Sequence, residues 1–192
     1  MRRYEATNEI LTAIGDELVI CNIGHPSQEI FTLRDRPENF YMFGSMGLSS
    51  SIGLGVAMAQ DRKVIAMDGD GSVTMNMGTL ATIGLVRPKN YMLIIIDNKA
   101  YGSTGFQRSF TADNLRLEDV AAGSGVEKVL VITEQKQIAS TISGLLKEDG
   151  PHVIVIKCEP GMPEGIGVIP IDGMAVRDRF MGAAKSDGGI VA

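Results

Sequence analysis

The stretch Lys63–Gly105, KVIAMDGDGSVTMNMGTLATIGLVRPKNYMLIIIDNKAYGSTG, decides the fold. An apolar run, Val64–Met67, ends in Asp68-Gly69-Asp70-Gly71-Ser72, and a helix of small residues follows. A second apolar run, Met92–Ile96, ends in Asp97-Asn98 and a Gly-containing polar loop. Two short β-like runs separated by one helix and a turn predict a βαβ unit, hence a parallel sheet. Both polar clusters then fall at the C-terminal edge of that sheet, where open α/β sheets hold ligands.

The residue types at that edge suit one kind of ligand. The Asp70 carboxylate and the Asn98 amide oxygen can converge on a hard cation, with a backbone carbonyl just beyond Asn98. Magnesium takes six oxygens at about 2.1 Å and is commonly held by few protein ligands plus phosphate. Gly69 and Gly71 let a diphosphate approach the backbone, and the amides opening the next helix can receive it. Residue chemistry alone thus leads to magnesium and a diphosphate at a sheet edge.

Working outward, 192 residues with 44% hydrophobic content can bury one substantial core. The expected organisation is a single domain over residues 1–184, with 185–192 as a flexible tail. The net charge of −5, with no basic tract, argues against nucleic acid and anionic membrane as partners. Cys21 and Cys158 stand in apolar surroundings and read as buried thiols of a reducing compartment. No signal core and no membrane-length apolar run occurs in the sequence, so the expected location is the cytoplasm.

Upstream, a helix over Tyr4–Ile14 and a strand over Leu18–Ile23 are expected, followed by a strand-to-helix turn at Gly24-His25-Pro26. That turn makes His25 a candidate site residue. Phe43–Gly47 precedes a helix, Leu48–Met58, whose small residues permit close packing. Asn76 reads as an ordinary polar helix residue. After Asn98, the cations and hydroxyls Lys99, Ser103, Thr104 and Arg108 are candidates for an anionic substrate group, since arginine in particular matches oxyanions. Solvated loop charge is the competing reading for Lys99 and Arg108. Downstream, the sequence predicts a short helix over Leu115–Ala122 and a strand over Val129–Ile132. A helix over Glu134–Lys147 capped by Thr133, a strand over His152–Lys157 and a closing helix over Met174–Ala184 follow. His152 begins its strand at the opposite edge and is assigned no role.

The GDGS run, the 25 residues between Gly71 and Asp97, and the Asn98 and Tyr101-Gly102 loop together resemble the magnesium-diphosphate motif of thiamine diphosphate enzymes. Asp97 departs from the Asn-Asn ending of that motif, but Asn98 matches at the ligand position. Across GHPSQEIF, GSMGLSSSIGLG and DNKAYGSTG the chain is similar to the sulfopyruvate decarboxylase beta subunits, and next to the phosphonopyruvate decarboxylases. The resemblance implies a doubly wound, mostly parallel α/β domain with helices on both faces. It implies thiamine diphosphate and Mg2+ as cofactors, with Asp70, Asn98 and the Ala100 carbonyl as metal ligands. Gly24, Gly69, Gly71, Ser72, Tyr101 and Gly102 are implied around the diphosphate. Gly44, Ser45 and Met46 are implied at the aminopyrimidine, with His25 bordering diphosphate or substrate as a catalytic candidate. It further implies a partner alpha subunit carrying the pyrimidine-binding domain and its activating glutamate, because one diphosphate-binding domain fills this sequence. The implied reaction takes sulfopyruvate to sulfoacetaldehyde and carbon dioxide, on the route to coenzyme M. A phosphonopyruvate substrate, a non-catalytic subunit of the same fold, and a nucleotide-binding domain remain as alternatives. Against the last, there is no GxGxxG in the right context and no GxxxxGK[ST].

Overall fold

A computed structural model describes residues 1–161 and 163–185. The expected tail, apart from Lys185, lies outside the described residues. The chain runs through α1 (Arg3–Ala13), β1 (Leu18–Cys21), α2 (His25–Arg34), β2 (Asn39–Tyr41), α3 (Ser49–Met58) and β3 (Val64–Gly69). It continues with the single turn α4 (Asp70–Val73), α5 (Gly78–Val86), β4 (Tyr91–Asp97) and the two-residue strands β5 (Ala100–Tyr101) and β6 (Gln107–Arg108). The remainder comprises α6 (Leu117–Gly123), β7 (Lys128–Ile132), α7 (Ile138–Leu145), β8 (His152–Lys157) and α8 (Gly173–Lys185).

Six strands form one sheet in the order β2-β1-β3-β4-β8-β7, with every neighbouring pair parallel. A sheet buried on both faces needs strands without polar alternation, and β4 (YMLIIID) is buried along its whole length. Its alternate side chains divide between two cores. Met92, Ile94 and Ile96 join α1, α2 and α7 on one face, and Tyr91, Leu93 and Ile95 join α3, α5 and α6 on the other.

Small residues set the closeness of that second face. A Cβ on Gly53 of α3 would lie 2.9 Å from the Ala66 Cβ of β3. Arg87, in the left-handed region at φ +51°, ends α5 with its N–H on the Ile83 carbonyl, and Pro88 follows.

Two local expectations are corrected. The helix expected over Glu134–Lys147 is a 3-10 turn, Gln135–Gln137, followed by the shorter α7, and Thr133 caps neither. Residues 134–137 are polar and exposed, so no apolar face draws them into an α-turn, and only Ile138, Ile142 and Leu145 are buried. The three-residue strand β2 was not singled out by periodicity, because its pairing with β1 rather than its own pattern defines it.

The sequence order of the strands reverses between β1 and β3, since β2 lies to one side of β1 and β3 to the other. Such a switch point leaves a crevice beyond the strands' C-terminal ends. No helix among the described residues is long and apolar enough to cross a membrane.

Candidate active site at the sheet's C-terminal edge

Chain leaving β1, β3 and β4 encloses a cavity of about 190 Å³ at this switch point. Asn22 and Gly24 after β1, Asp68–Ser72 around the end of β3, and Asn98 and Ala100–Thr104 after β4 form much of its wall, with Met46 from the turn before α3. The spacing read from sequence therefore brings Asp70 and Asn98 to one cavity.

Hydroxyls and amides lace the β1 and β3 exits to the turn before α3. The Gly47 N–H donates to Ser72 Oγ at 2.8 Å, and Ser72 Oγ donates to Asn22 Oδ1 at 3.2 Å. Asn76 Nδ2 donates to the Gly47 carbonyl at 3.2 Å and to Ser51 Oγ at 2.9 Å. Asn76 is thus a brace for the Gly44–Gly47 turn rather than an ordinary polar helix residue. Gly47 itself has φ +93°, and a Cβ there would meet the Ser72 carbonyl at 3.2 Å, so the turn requires glycine.

Asp70 opens α4 and is buried. Its Oδ2 accepts hydrogen bonds from Ser109 Oγ and from Thr111 Oγ1, the latter at 2.7 Å. Burial pushes its carboxyl above the ordinary aspartate value against the pull of those hydroxyls, and the nearby Asp97 charge adds to the rise. Burial likewise raises Asp68 to about 6, although the Ser49 and Ser72 hydroxyls and the Gly69 N–H draw it down.

Asp97, the departure from the family pattern, is held from three sides. Thr111 Oγ1 lies 2.7 Å from its Oδ1, the Lys99 N–H donates to the same oxygen at 3.2 Å, and Lys157 Nζ donates to Oδ2 at 2.9 Å. Lys157 also donates to Glu118 Oε2 at 2.9 Å. Burial works against the lysine cation, but these bonds to Glu118 and Asp97 outweigh it and hold its pKa above normal.

The loop after Asn98 closes one side of the cavity. β5 and β6 pair antiparallel, and the Ala100 N–H donates to Asn98 Oδ1 at 3.3 Å. The Tyr101 ring covers Gly71, where a Cβ would come within 2.4 Å of it. Ser103 Oγ would lie 2.8 Å from a Cβ on Gly24, which has φ +75°.

Several expected residues stand outside the wall. Gly44 and Ser45 are exposed beside Met46, with Ser45 at φ +61°. Lys99 is exposed, and Arg108 is turned to Asp113 at 2.5 Å and to the Ala112 carbonyl at 3.0 Å. Of the four candidates for an anionic group, only Ser103 and Thr104 line the cavity. His25 heads α2 next to the wall, with its Nδ1 buried and without a hydrogen-bond partner. Burial and the Arg3 charge lower its pKa, partly offset by Glu29.

Sequence reasoning missed Arg3 and Thr7, which line the cavity, and the supports Ser109, Thr111, Glu118 and Lys157. Arg3 forms a buried double hydrogen bond to Glu29 at 2.9 and 2.7 Å. Nothing in local pattern marks these positions, because each acts through a partner distant in sequence.

The donor set fits a magnesium-bound diphosphate. No group of three or more His, Cys, Asp or Glu side chains among the described residues makes a protein-only cage. Asp70 and Asn98 offer the few oxygens that magnesium accepts beside phosphate, and Gly24, Gly69, Gly71 and Gly102 line the cavity without side chains of their own.

Comparison with known proteins agrees with this chemistry. Residues 23–156 match the thiamine pyrophosphate enzyme, C-terminal TPP binding domain family. The chain is 46% identical over 188 residues to sulfopyruvate decarboxylase subunit beta of Methanococcus maripaludis, covering 96% of this chain and 98% of that one. It is 37% identical over 165 residues to phosphonopyruvate decarboxylase of Streptomyces viridochromogenes, covering 86% of this chain and 41% of the relative. An X-ray structure from Mycobacterium smegmatis, described as thiamin diphosphate-dependent, superposes with a TM-score of 0.67 at 21% identity, over 84% of this chain and 32% of that one. The last likeness speaks to the fold alone. The chain belongs to the thiamine pyrophosphate enzyme family, in the branch of the sulfopyruvate decarboxylase beta subunits.

Proposed function

We propose that this chain is the beta subunit of a thiamine diphosphate- and magnesium-dependent decarboxylase that converts sulfopyruvate to sulfoacetaldehyde and carbon dioxide. The carrying observation is the cavity wall itself, in which buried Asp70 and Asn98 face a glycine-lined recess at the switch point. Bound there, thiamine diphosphate supplies the electron sink that makes loss of carbon dioxide from a 2-oxo acid possible.

This chain's residues bind and orient it. Asp70, Asn98 and the Ala100 carbonyl hold the magnesium ion, while Gly24, Gly69, Gly71, Ser72 and Gly102 admit the diphosphate. Tyr101 flanks that group, and the Gly44–Met46 turn supports the aminopyrimidine. Ser103 and Thr104 at the cavity, with exposed Lys99 next to Asn98 in the chain, are the hydrogen-bonding and cationic groups offered to the substrate's anionic tail. His25 borders the site at the head of α2.

The activating glutamate comes from an alpha subunit. No glutamate lines the cavity among the described residues. The glutamates that precede the Gly44 turn are engaged elsewhere: Glu5 with Arg2, Glu9 with Gln135, Glu17 with the Gly15 N–H, Glu29 with Arg3 and Glu38 with Arg62. Exposed Phe43, Leu48, Met75, Phe106 and Phe110, on or beside segments that frame the cavity, offer apolar area for that partner.

The test is carbon dioxide release from sulfopyruvate and from phosphonopyruvate, with magnesium and thiamine diphosphate, by the chain alone and with its alpha subunit. Release only by the mixture, faster from sulfopyruvate and abolished by Asp70→Ala, is the expected result. Turnover by the chain alone removes the split-site reading, and a preference for phosphonopyruvate reassigns the substrate.

A further inference from the structure

We propose that Thr111, together with Ser109, is the positioning device that fixes the Asp70 carboxylate for the metal and couples it to the loop opening at Asp97. This inference rests on the reading of Asp70 as a magnesium ligand given above.

An aspartate has two side-chain torsions, and a metal ligand in a buried site works best when both are fixed before the ion arrives. At Asp70 the fixing falls on one oxygen. Ser109 Oγ and Thr111 Oγ1 both donate to Oδ2, which leaves Oδ1 as the oxygen that takes neither hydroxyl. Ser109 and Thr111 are buried and do not line the cavity, so they act through Asp70 and not on a ligand directly.

Thr111 does more than Ser109. Its Oγ1 lies 2.7 Å from Asp70 Oδ2 and 2.7 Å from Asp97 Oδ1, with Ser109 Oγ at 3.0 Å. A hydroxyl carries one proton, so Thr111 can donate to only one of the two carboxylates at a time and turns a lone pair to the other. Lys157 meets this negative charge at Asp97 Oδ2, and no described cation does so at Asp70. The fragment that presents Thr111 is the 3-10 turn Phe110–Ala112, anchored by the Ser109 N–H on the Lys99 carbonyl at 3.1 Å. Thr111 therefore ties the end of β3 to the end of β4 across the mouth between them, so that Asp70 and the loop carrying Asn98 and Ala100 move as one unit.

The experiment uses the full chain in complex with its alpha subunit, thiamine diphosphate in excess, and Mn2+ as the probe. Free Mn2+ is measured by electron paramagnetic resonance. Thr111→Val is expected to raise the Mn2+ concentration for half-saturation about tenfold or more. Thr111→Ser restores it. Ser109→Ala raises it by a smaller factor, because Ser109 reaches Asp70 alone of the two carboxylates.

A merely structural threonine would lower the unfolding midpoint without moving half-saturation, and that result overturns the inference. So does a folded Thr111→Val or Ser109→Ala complex that binds Mn2+ as the wild type does while Asp70→Ala loses it. If Asp70→Ala itself binds Mn2+ normally, the metal reading of Asp70 fails instead. Should Thr111→Val not fold, Ser109→Ala decides, since it leaves the Thr111–Asp97 contact in place.

Discussion

The two edges of the sheet use polar side chains in opposite ways. At the N-terminal edge they hold the chain's own backbone. Asn90 Nδ2 reaches the carbonyls of Ala57, Gln60 and Arg62 at 3.0, 2.7 and 3.0 Å, and Lys63 Nζ reaches those of Lys89 and Glu148 at 3.1 and 2.5 Å. Arg36 does the same for the Gly15 and Glu17 carbonyls. At the C-terminal edge, buried Asp70, Asp97, Asn22, Ser72, Ser109 and Thr111 bond mainly to one another, and one lysine, Lys157, answers Asp97 and Glu118. Backbone-directed amides and cations serve folding, whereas clustered buried acids cost stability and are retained where a cation is to be bound.

The largest expected effect tests that division directly. In the alpha–beta complex, Asp70→Ala should lower the rate of carbon dioxide release about a hundredfold or more, by loss of a metal ligand. Its urea midpoint should hold or rise, because a buried acid beside Asp97 has been removed. A lost midpoint with a retained rate would reverse the roles assigned to the two edges.

Asn90→Ala is the mirror experiment. It leaves three turn carbonyls without their shared donor, at a cost of about 2–3 kcal/mol in unfolding free energy. The rate and the metal requirement of the folded complex should not change. A raised metal requirement would mean that the edges are mechanically linked through β4.

The same division explains what was legible in the sequence. The βαβ core, the parallel sheet and the meeting of Asp70 with Asn98 follow from apolar runs ending in short polar clusters, and strand direction then carries both clusters to one edge. Gly71, Ser72, Tyr101 and Met46 were reachable because they lie beside those clusters or match a family motif. Thr111, Lys157 and Glu118 were not, because their partners are 14 to 60 residues away and no period or spacing records such a contact. Arg108 shows the converse failure: its type suits an oxyanion, but a neighbouring carboxylate at Asp113 engages it. Side-chain type announces what a group could bind, while its nearest partner decides whether it is available.

Asp97 and Lys157 sharpen the comparison from within the acidic edge. Lys157→Met leaves buried Asp97 and Glu118 facing each other's charge without the cation between them, and should cost about 1–2 kcal/mol. Adding Asp97→Asn restores the uncharged residue of the family pattern and should recover part of that loss. A double-mutant cycle on urea midpoints measures the coupling. Strict additivity would show that Lys157 answers Glu118 alone.

The smallest effect belongs to the scaffold edge and is read through pH. Asp35, before β2, takes a double hydrogen bond from Arg179 of α8 at 2.9 and 2.6 Å and another from the Tyr41 hydroxyl at 2.9 Å. Burial raises the Asp35 carboxyl, but those bonds outweigh it and hold its pKa below the ordinary aspartate value. A carboxylate depressed on folding adds stability at pH values above its unfolded pKa, about 3.9, and that stability fades as pH falls through the depressed folded value. Both side chains are about a third exposed, 33% and 30%, so solvent screening keeps the contribution below about 1 kcal/mol. Asp35→Asn should therefore lower the urea midpoint slightly at pH 7, and the gap to wild type should close as pH is lowered past 3.9 and further. Decarboxylation at pH 7 should be untouched, since neither Asp35 nor Arg179 lines the cavity. A gap that persists undiminished in acid would mean that the side chain's shape, not its charge, docks α8 on the sheet.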